Sequence, residues 1–247
     1  GKSLNEVFKD LPLKKTELKF KRHEDLIPKD AVVALAVPNQ VSLQQVPGLL
    51  AKGHKVVDFS GAFRIHDTAV FKQFYGLEQA SPETLAKAAF GIPEIFREQI
   101  VSSQLVANPG CYPTSVIYPL YTLGDIRKNI AMISISSGSG VSGAGGRTED
   151  AGFSFNSVAE NYRAYKVLGH QHEPEIKEYS LLNIDQAVEL VFTPHLLPLF
   201  RGILSTTTIL FKSPPDKTAI ENAFAKMAQE TFVRVYKTPE EISIKNV

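Results

Sequence analysis

A strand, a helix and a second strand follow one another in residues 31–60, and this succession constrains the fold more than any other feature. Residues 31–37 form a continuous apolar run that ends at Pro38 and Asn39, which is typical of a strand buried on both faces of a parallel sheet. Apolar residues then recur at helical spacing, and residues 55–60 predict the next strand. These elements form a βαβ unit with a right-handed connection, so the sequence predicts an α/β fold.

The composition of the chain argues against nucleic acid and membranes as binding partners. The chain has 247 residues and a net charge of +1, so it has room for one or two domains and no overall field that would attract nucleic acid or a membrane surface. No apolar run approaches the roughly 20 residues that span a bilayer. One cysteine cannot form an internal disulfide, which fits a reducing compartment. We therefore predict a cytoplasmic protein without nucleic-acid or membrane partners.

The single cysteine lies where a strand gives way to a helix. The apolar residues 105–107 predict a strand that stops at Asn108, and Pro113 stands where the first turn of a helix tolerates proline. The amide groups and positive dipole end of that helix would lower the pKa of Cys111 and favour a nucleophilic thiolate. The alternative is a small buried hydrophobic residue that happens to contain sulfur.

Two later segments supply groups that such a nucleophile needs. A run of glycine and serine in residues 136–147 follows a predicted strand at 130–137 and ends at Arg147. It would let a ligand approach the backbone closely and would point amide groups at anionic oxygens, although such runs are more often flexible linkers. His170 and His172 precede Pro174, where a helix start is predicted, so both are expected on the loop before it. They could bind a metal, act as acid and base beside the cysteine, or be solvated; a metal is the least favoured reading, and none is predicted.

The remaining chain shows shorter patterns. Residues 1–30 are polar and lysine-rich and predict a surface excursion, and residues 70–75 and 82–89 contain amphipathic pieces. The β-rich runs 186–193 and 203–211 predict neighbouring strands of an antiparallel sheet with one face against the other domain or a second subunit. A helix is predicted from residue 217 to about residue 231, and a further strand over 232–236.

Taken together, the motifs resemble those of the N-acetyl-gamma-glutamyl-phosphate reductase family. In chain order they are Asp58-Phe59-Ser60 with Phe63-Arg64, Tyr75-Gly76 with Gly91-Ile92-Pro93-Glu94, Ala107 to Thr114, Ser139 to Gly145, His170 to Ile176, and Thr193 to Pro198 with Arg201-Gly202-Ile203. That family is similar in fold and mechanism to aspartate-semialdehyde dehydrogenase and to the phosphorylating glyceraldehyde-3-phosphate dehydrogenases. The resemblance implies a partial Rossmann-type NADP-binding domain at residues 1–110. An α+β catalytic and dimerisation domain would follow at residues 111–247.

The resemblance also implies a reaction. Cys111 would attack an acyl phosphate and expel phosphate, and NADPH would reduce the resulting thioester to a semialdehyde, as in arginine biosynthesis. His170 would be the acid–base group and Glu175 would orient or tune it, while His172 could share that role.

Binding residues and assembly follow from the same resemblance. The cofactor would lie along Pro38, Asn39, Ser139, Gly140, Val141, Ser142 and Gly143. The acyl-phosphate substrate would be bound by Asn108, Arg64, Arg201 and His172, since a guanidinium pairs bidentately with carboxylate or phosphate. The family implies a homo-oligomer, most simply a tetramer built through the β-rich domain.

Some alternatives stay open at this level. The glycine-rich turn that carries the family's dinucleotide fingerprint is expected before this chain's first residue, and the family's closing helix after its last, so we expect the chain to lack both. The reductase of lysine biosynthesis that acts on a carrier-linked substrate would share these motifs. A cofactor-free cysteine hydrolase or acyl transferase would use Cys111 and His170, and a non-catalytic scaffold would leave Cys111 inert.

Overall fold

Two four-stranded sheets organise the chain, in a computed structural model that describes residues 1–9, 18–22, 27–145 and 155–246. The strands are β1 Val32–Leu35, β2 Lys55–Asp58, β3 Ala88–Phe90, β4 Leu105–Ala107, β5 Ile130–Ser139, β6 Arg163–Ala164, β7 Glu189–Leu196 and β8 Ile203–Phe211. The α-helices are α1 Leu4–Val7, α2 Asn39–Ala51, α3 Thr68–Tyr75, α4 Pro82–Leu85, α5 Pro93–Ser102, α6 Cys111–Thr122, α7 Phe155–Val158, α8 His172–Ser180 and α9 Lys217–Met227. Short 3₁₀ turns occupy Gly124–Asn129, Val141–Ala144, Pro239–Glu241 and Ile244–Asn246.

The first sheet is parallel throughout, with strand order β1-β2-β4-β3. The predicted βαβ unit is confirmed as β1, α2 and β2. Because the strands are parallel, their carboxyl ends share one edge of the sheet, where ligands bind in open α/β folds. The loops after β2 and β4 therefore bring residues 59–66 and 108–110 to the same edge.

Two details of the first sheet differ from the prediction. β1 is not buried on both faces, since Val32 is 62% exposed; it is an edge strand of the described sheet and is covered incompletely. The amphipathic piece at 82–89 is not one helix, because α4 ends at Leu85 and Ala88 begins the edge strand β3. A three-residue strand is too short to show a period in the sequence.

The second sheet is mixed, with order β6-β7-β5-β8. β5 pairs in parallel with β7 and antiparallel with β8. The prediction that β7 and β8 are antiparallel neighbours is therefore wrong, because β5 lies between them. Strand pairing is decided by tertiary contacts, and the pattern within each strand does not report it.

The segment after α9 also corrects the prediction. α9 ends at Met227, and residues 232–236 form no strand. Phe232 is 88% exposed. A β-rich run becomes a strand only where a partner supplies hydrogen bonds, and the described residues place none beside it.

A small apolar cluster joins the two halves of the molecule. It contains Phe90 at the end of β3, Ile117 on α6 and Tyr179 on α8. The Phe90 and Tyr179 rings stack with centroids 3.5 Å apart. This packing fixes α6 and α8 against the carboxyl edge of the first sheet.

The described parts of the first 30 residues, 1–9, 18–22 and 27–30, contain no fully buried residue, in keeping with the predicted surface excursion. Residues 10–17 and 23–26 of this segment lie outside the described chain. Among the described helices, none is both long and apolar enough to cross a membrane.

Candidate active site

Cys111 is the first residue of α6. Gly110 is the N-cap residue, with extended backbone (φ −66°, ψ 157°), and Pro113 falls within the first turn, where its missing N–H costs no helical bond. The predicted strand-to-helix placement is thus confirmed. The thiol is exposed and opens into a cavity of about 290 Å³.

The cavity collects part of the predicted site. It is enclosed by the loop after β2, the start of α6, the end of β5 and the segment that leads into α8. Predicted residues on its wall are Arg64, Cys111, Ser139, Gly140, Gly143, His170 and His172. Pro38, Asn39, Asn108, Val141, Ser142, Glu175 and Arg201 do not line it.

Glu175 lies behind this wall and is completely buried. Its Oε1 accepts a hydrogen bond of 2.7 Å from the Gly110 amide, and its Oε2 lies 3.5 Å from Nη1 of Arg64. Arg64 is itself buried, and its Nη2 donates to the Phe59 carbonyl oxygen at 2.8 Å. The carboxylate thus faces the backbone just before the cysteine and an arginine from the first sheet's edge.

The pKa of Cys111 is raised above its ordinary value. Desolvation by the surrounding protein is the largest cause; the amides of Tyr112 and Cys111 and the Arg64 charge act in the opposite direction, and the charge of Glu175 adds to the rise. The prediction of a lowered pKa is therefore wrong. The helix terminus stabilises a thiolate as expected, but it does not outweigh the loss of water and the nearby carboxylate.

His170 lies in the loop before α8 and is almost fully buried. Its Nδ1 accepts a hydrogen bond of 3.1 Å from the His172 amide, so a neutral ring carries its hydrogen on Nε2. That Nε2 lies 3.4 Å from the Tyr165 hydroxyl. The rings of Tyr112, Tyr165, His172 and Phe192 meet His170 edge-on, with centroids 4.8–5.5 Å away.

His172 occupies a different position from His170. It is the first residue of α8, so the prediction that both histidines precede the helix holds only for His170. Its ring packs on Gly110, where an added Cβ would lie 2.5 Å from Nε2. His172 therefore contacts the backbone beside Cys111, and His170 contacts the tyrosines.

Three amides of the glycine-serine run are taken up by hydrogen bonds within the protein. The N–H groups of Gly140, Val141 and Ser142 donate to the carbonyl oxygens of Gly202, Leu199 and Phe200, at 2.9 Å each. The predicted amide cradle for anionic oxygens is therefore wrong for these positions, because a loop sixty residues later takes up the donors. Gly140, Gly143 and Ala144 nevertheless line the cavity with little side-chain bulk. Arg147 lies outside the described residues.

The other predicted binding residues stand apart from the cavity. Arg201 is exposed, with its guanidinium 5.4 Å from the centre of the Phe200 ring. The Asn108 amide N–H donates to the Asp58 carbonyl oxygen, which ties β4 to β2. Asn39 follows β1, and its Oδ1 accepts a 2.7 Å hydrogen bond from the Gly61 amide, which ties together the loops at the sheet edge.

Sequence reasoning did not single out the tyrosines. The Tyr165 hydroxyl donates to the Tyr112 hydroxyl at 3.1 Å, and Tyr112 donates to the His195 carbonyl oxygen at 3.2 Å. The position of Tyr112 directly after Cys111 is a signal that could have found this network. Positive φ angles at Lys166 and Leu168 also mark the loop to His170 as specially shaped.

Within the described ranges, no group of three His, Cys, Asp or Glu could hold a metal ion.

Known proteins match the chain along its whole length. Residues 1–103 match the model of the semialdehyde dehydrogenase NAD-binding domain, and residues 111–247 match that of the semialdehyde dehydrogenase dimerisation domain. An N-acetyl-gamma-glutamyl-phosphate reductase of Leptospira interrogans serovar copenhageni is 49% identical over 249 aligned residues, which cover 100% of this chain and 73% of that protein. The chain belongs to the N-acetyl-gamma-glutamyl-phosphate reductase family of semialdehyde dehydrogenases.

Solved structures support the fold of this family. Aspartate semialdehyde dehydrogenase II of Vibrio cholerae superposes with a TM-score of 0.57 at 17% identity, covering 79% of this chain and 60% of that one. An aspartate semialdehyde dehydrogenase of Candida albicans, solved with NADP, gives a TM-score of 0.54 at 13% identity, covering 86% and 62%. The predicted α/β fold class of the semialdehyde dehydrogenase type is thereby confirmed. The dimerisation-domain match begins at Cys111 itself, so the cysteine lies at the junction of the two matched regions.

Proposed function

We propose that the protein reduces N-acetyl-gamma-glutamyl phosphate to N-acetyl-glutamate semialdehyde, with NADPH as reductant and release of phosphate, in arginine biosynthesis. The observation that carries this proposal is the placement of the exposed Cys111 thiol at the start of α6, in a cavity that it shares with His170 and Arg64. The chain's family membership supplies the substrate class.

In the first step the Cys111 Sγ attacks the acyl carbon, the carbon–oxygen bond to phosphate breaks, and a thioester remains on the cysteine. NADPH, when bound, supplies the hydride that reduces this thioester. The resulting thiohemiacetal collapses to the aldehyde and returns the cysteine. The protein's own residues hold the Cys111 thiol at the acyl carbon and accept the proton of that thiol.

Because the Cys111 pKa is raised, the thiol carries a proton that must leave as it attacks. We assign this proton to His170. Its Nε2 already holds a hydrogen towards Tyr165, so acceptance requires a change of tautomer or of hydrogen-bond partner. His172, packed on Gly110, is the alternative base. An imidazole N–H in this wall can also donate to the carbonyl oxygen as it becomes negative.

The residues present fit the nicotinamide end of the cofactor. Gly140, Gly143 and Ala144 give the cavity wall a surface of low bulk that a flat ring can approach, with Ser139 beside it. Pro38 and Asn39 lie where ligands bind at the carboxyl edge of a parallel sheet. The amides of Gly140 to Ser142 are already bonded, so we assign no cofactor phosphate to them.

Arg64 is the substrate-binding residue with the most support. It lines the cavity, and its guanidinium is buried beside Glu175 and Tyr75. A substrate phosphate or carboxylate in the cavity would pair with this cation. Substrate contacts by Asn108 and Arg201 stay predictions, since neither lines the cavity.

We further propose that the second sheet forms the contact between subunits of a homo-oligomer, a tetramer in the simplest case. Alternate residues of β8 are exposed on one face, including Leu204 at 43% and Leu210 at 61%, and Ser134 and Ser136 of β5 are exposed opposite Thr208 and Thr206. The match of this region to a dimerisation domain supports a second copy as the occupant. Light scattering of a Leu210→Glu variant should show a smaller assembly than the wild type.

The proposed reaction is tested in reverse, as phosphate-dependent reduction of NADP⁺ by N-acetyl-glutamate semialdehyde. Cys111→Ala should abolish turnover, while Ser115→Ala, one turn further along α6 and bonded to Ser205, should keep it. Normal turnover by Cys111→Ala would rule out the covalent route. Release of phosphate or acid from the acyl phosphate at the full rate without NADPH would point to a hydrolase instead.

A further inference from the structure

The two carboxylate oxygens of Glu175 are bonded to Gly110 and Arg64. Oε1 accepts from the Gly110 amide at 2.7 Å and Oε2 faces Arg64 at 3.5 Å. Neither of these bonds reaches His170, so they do not support the expected role of Glu175 in orienting that histidine. The contacts that do exist lead to the residue before Cys111.

Arg64 is held rigidly opposite this carboxylate. Its neighbours Phe63 and Ile65 are buried in the core of the first sheet, which leaves the arginine to point towards α8. Its Nη2 donates to the Phe59 carbonyl oxygen, and its own carbonyl oxygen accepts from the Tyr179 hydroxyl, both at 2.8 Å. The Tyr179 bond fixes the Arg64 backbone, and the guanidinium cannot swing away without breaking its contacts with Phe59 and Glu175.

Gly110 explains why a distant carboxylate is needed at this helix start. A serine or aspartate at the N-cap would hold the first turn with its own side chain. Here the His172 ring packs where such a side chain would begin. The buried carboxylate of Glu175 instead binds the N-cap amide from across the domain junction, at the positive end of the α6 dipole.

We propose that Glu175 is a positioning residue for the nucleophile, which fixes the start of α6 through the Gly110 amide and, together with Arg64, sets the charge that faces Cys111. This inference rests on the proposed role of Cys111, but it concerns the protein without substrate or cofactor. It assigns Arg64 a second task, as the counter-ion of Glu175, besides any contact with substrate.

The charges around the thiol predict in which direction the pKa of Cys111 should change when Glu175 is replaced. Glu175 raises the pKa of Cys111 and Arg64 lowers it. Burial in turn raises the pKa of Glu175, against the effects of Arg64 and the Gly110 amide. The other titratable groups that face the thiol across the cavity are Tyr112, Tyr165, Lys166, His170 and His172.

The test is the pH profile of alkylation by iodoacetamide, a neutral reagent. Cys111 is the only cysteine in the chain, so all labelling reports on it. Glu175→Gln keeps the volume and an oxygen acceptor for the Gly110 amide but removes the charge. We expect the apparent pKa of alkylation to fall by up to about one unit, and labelling at pH 7 to become several-fold faster. The matched control is Glu230→Gln, whose carboxylate pairs with Arg97 at 2.9 Å on the surface and should leave the profile unchanged.

A wild-type alkylation profile in Glu175→Gln would overturn the proposal. Altered imidazole titrations of His170 or His172 by NMR in that variant would then return Glu175 to the histidines. Hydrogen exchange of the wild-type protein gives a second test that needs no variant. The Gly110 amide should be protected, although the amides at a helix start lack intrahelical acceptors. Exchange as fast as that of an exposed amide would also overturn the proposal. Neither measurement uses NADPH or acyl phosphate, so failure of the proposed reaction is detected separately, by turnover of Cys111→Ala.

Discussion

Two walls of the same cavity are built on opposite principles. The charged wall consists of Arg64 and Gly110 with Glu175 buried behind them, and the aromatic wall of Tyr112, Tyr165 and His170 with Phe192 packed behind them. The charged wall joins the two halves of the molecule through a few buried polar contacts. The aromatic wall lies within the second half, where each ring packs against several others. Single substitutions should therefore be severe in the charged wall and graded in the aromatic wall.

The largest effect is expected for Arg64→Met. It leaves the fully buried Glu175 without a counter-ion, and breaking one side of a buried pair costs about 3–5 kcal/mol of unfolding free energy. Urea unfolding measures this loss. Arg97→Met, which breaks an ion pair of similar composition on the surface, should cost less than about 1 kcal/mol. Equal losses in the two variants would remove the distinction between the charged wall and an ordinary surface pair.

Gly110→Ala should come second. The added Cβ would lie within 2.8 Å of three ring atoms of His172, so the ring must move and overpacking should cost about 1–3 kcal/mol. The control has the opposite sign: Gly48 lies inside α2 with nothing within 4 Å of an added Cβ, and Gly48→Ala should stabilise by about 0.5–1 kcal/mol. A neutral result at Gly110 would show that the space between the helix start and His172 is loose.

Tyr165→Phe tests the aromatic wall. It removes the hydroxyl that donates to Tyr112 and faces His170 Nε2, and we expect a loss of about 0.5–1.5 kcal/mol because the ring contacts remain. Calorimetry measures the loss, with the exposed Tyr162→Phe as a control that should change little. A loss as large as that of Arg64→Met would contradict the graded behaviour of this wall.

The smallest effect concerns a half-exposed pair beside the charged wall. Glu178 hydrogen-bonds His66 and raises the pKa of its imidazole. Because the folded pKa is raised, the stabilisation is complete below the unfolded value of about 6.5 and is lost as the pH rises through the folded value. Solvent screening limits it to a few tenths of a kcal/mol. Wild type should exceed His66→Gln in stability more at pH 5.5 than at pH 8.5; an advantage that grows with pH would reverse the assigned sign.

The sequence predicts the position of Cys111 better than the charges around it. The place of Cys111 was predictable because a strand, a proline, a glycine and a helix start are local signals. Its pKa was not, because the shift comes from desolvation and from Arg64 and Glu175, which the fold brings from both halves of the chain. The family motif singled out Glu175 but not its partner atom, the Gly110 amide.

Long-range pairing accounts for the other errors. The runs at β7 and β8 were visible as strands, yet nothing within them shows that β5 lies between. The amides of the glycine-serine run were expected to face a ligand, but those of Gly140, Val141 and Ser142 donate to the loop of residues 199–202 instead. Local patterns thus predicted most of the elements, with β3 and residues 232–236 as exceptions, and tertiary contacts decided which groups remain available for chemistry.

The central claim is that Cys111 becomes acylated during the reaction. The protein should be mixed with N-acetyl-gamma-glutamyl phosphate without NADPH, quenched in acid and examined by mass spectrometry. We predict one added N-acetyl-glutamyl group on the peptide that contains Cys111, with release of an equal amount of phosphate. An unmodified Cys111 in a preparation that turns over when NADPH is added would contradict the claim.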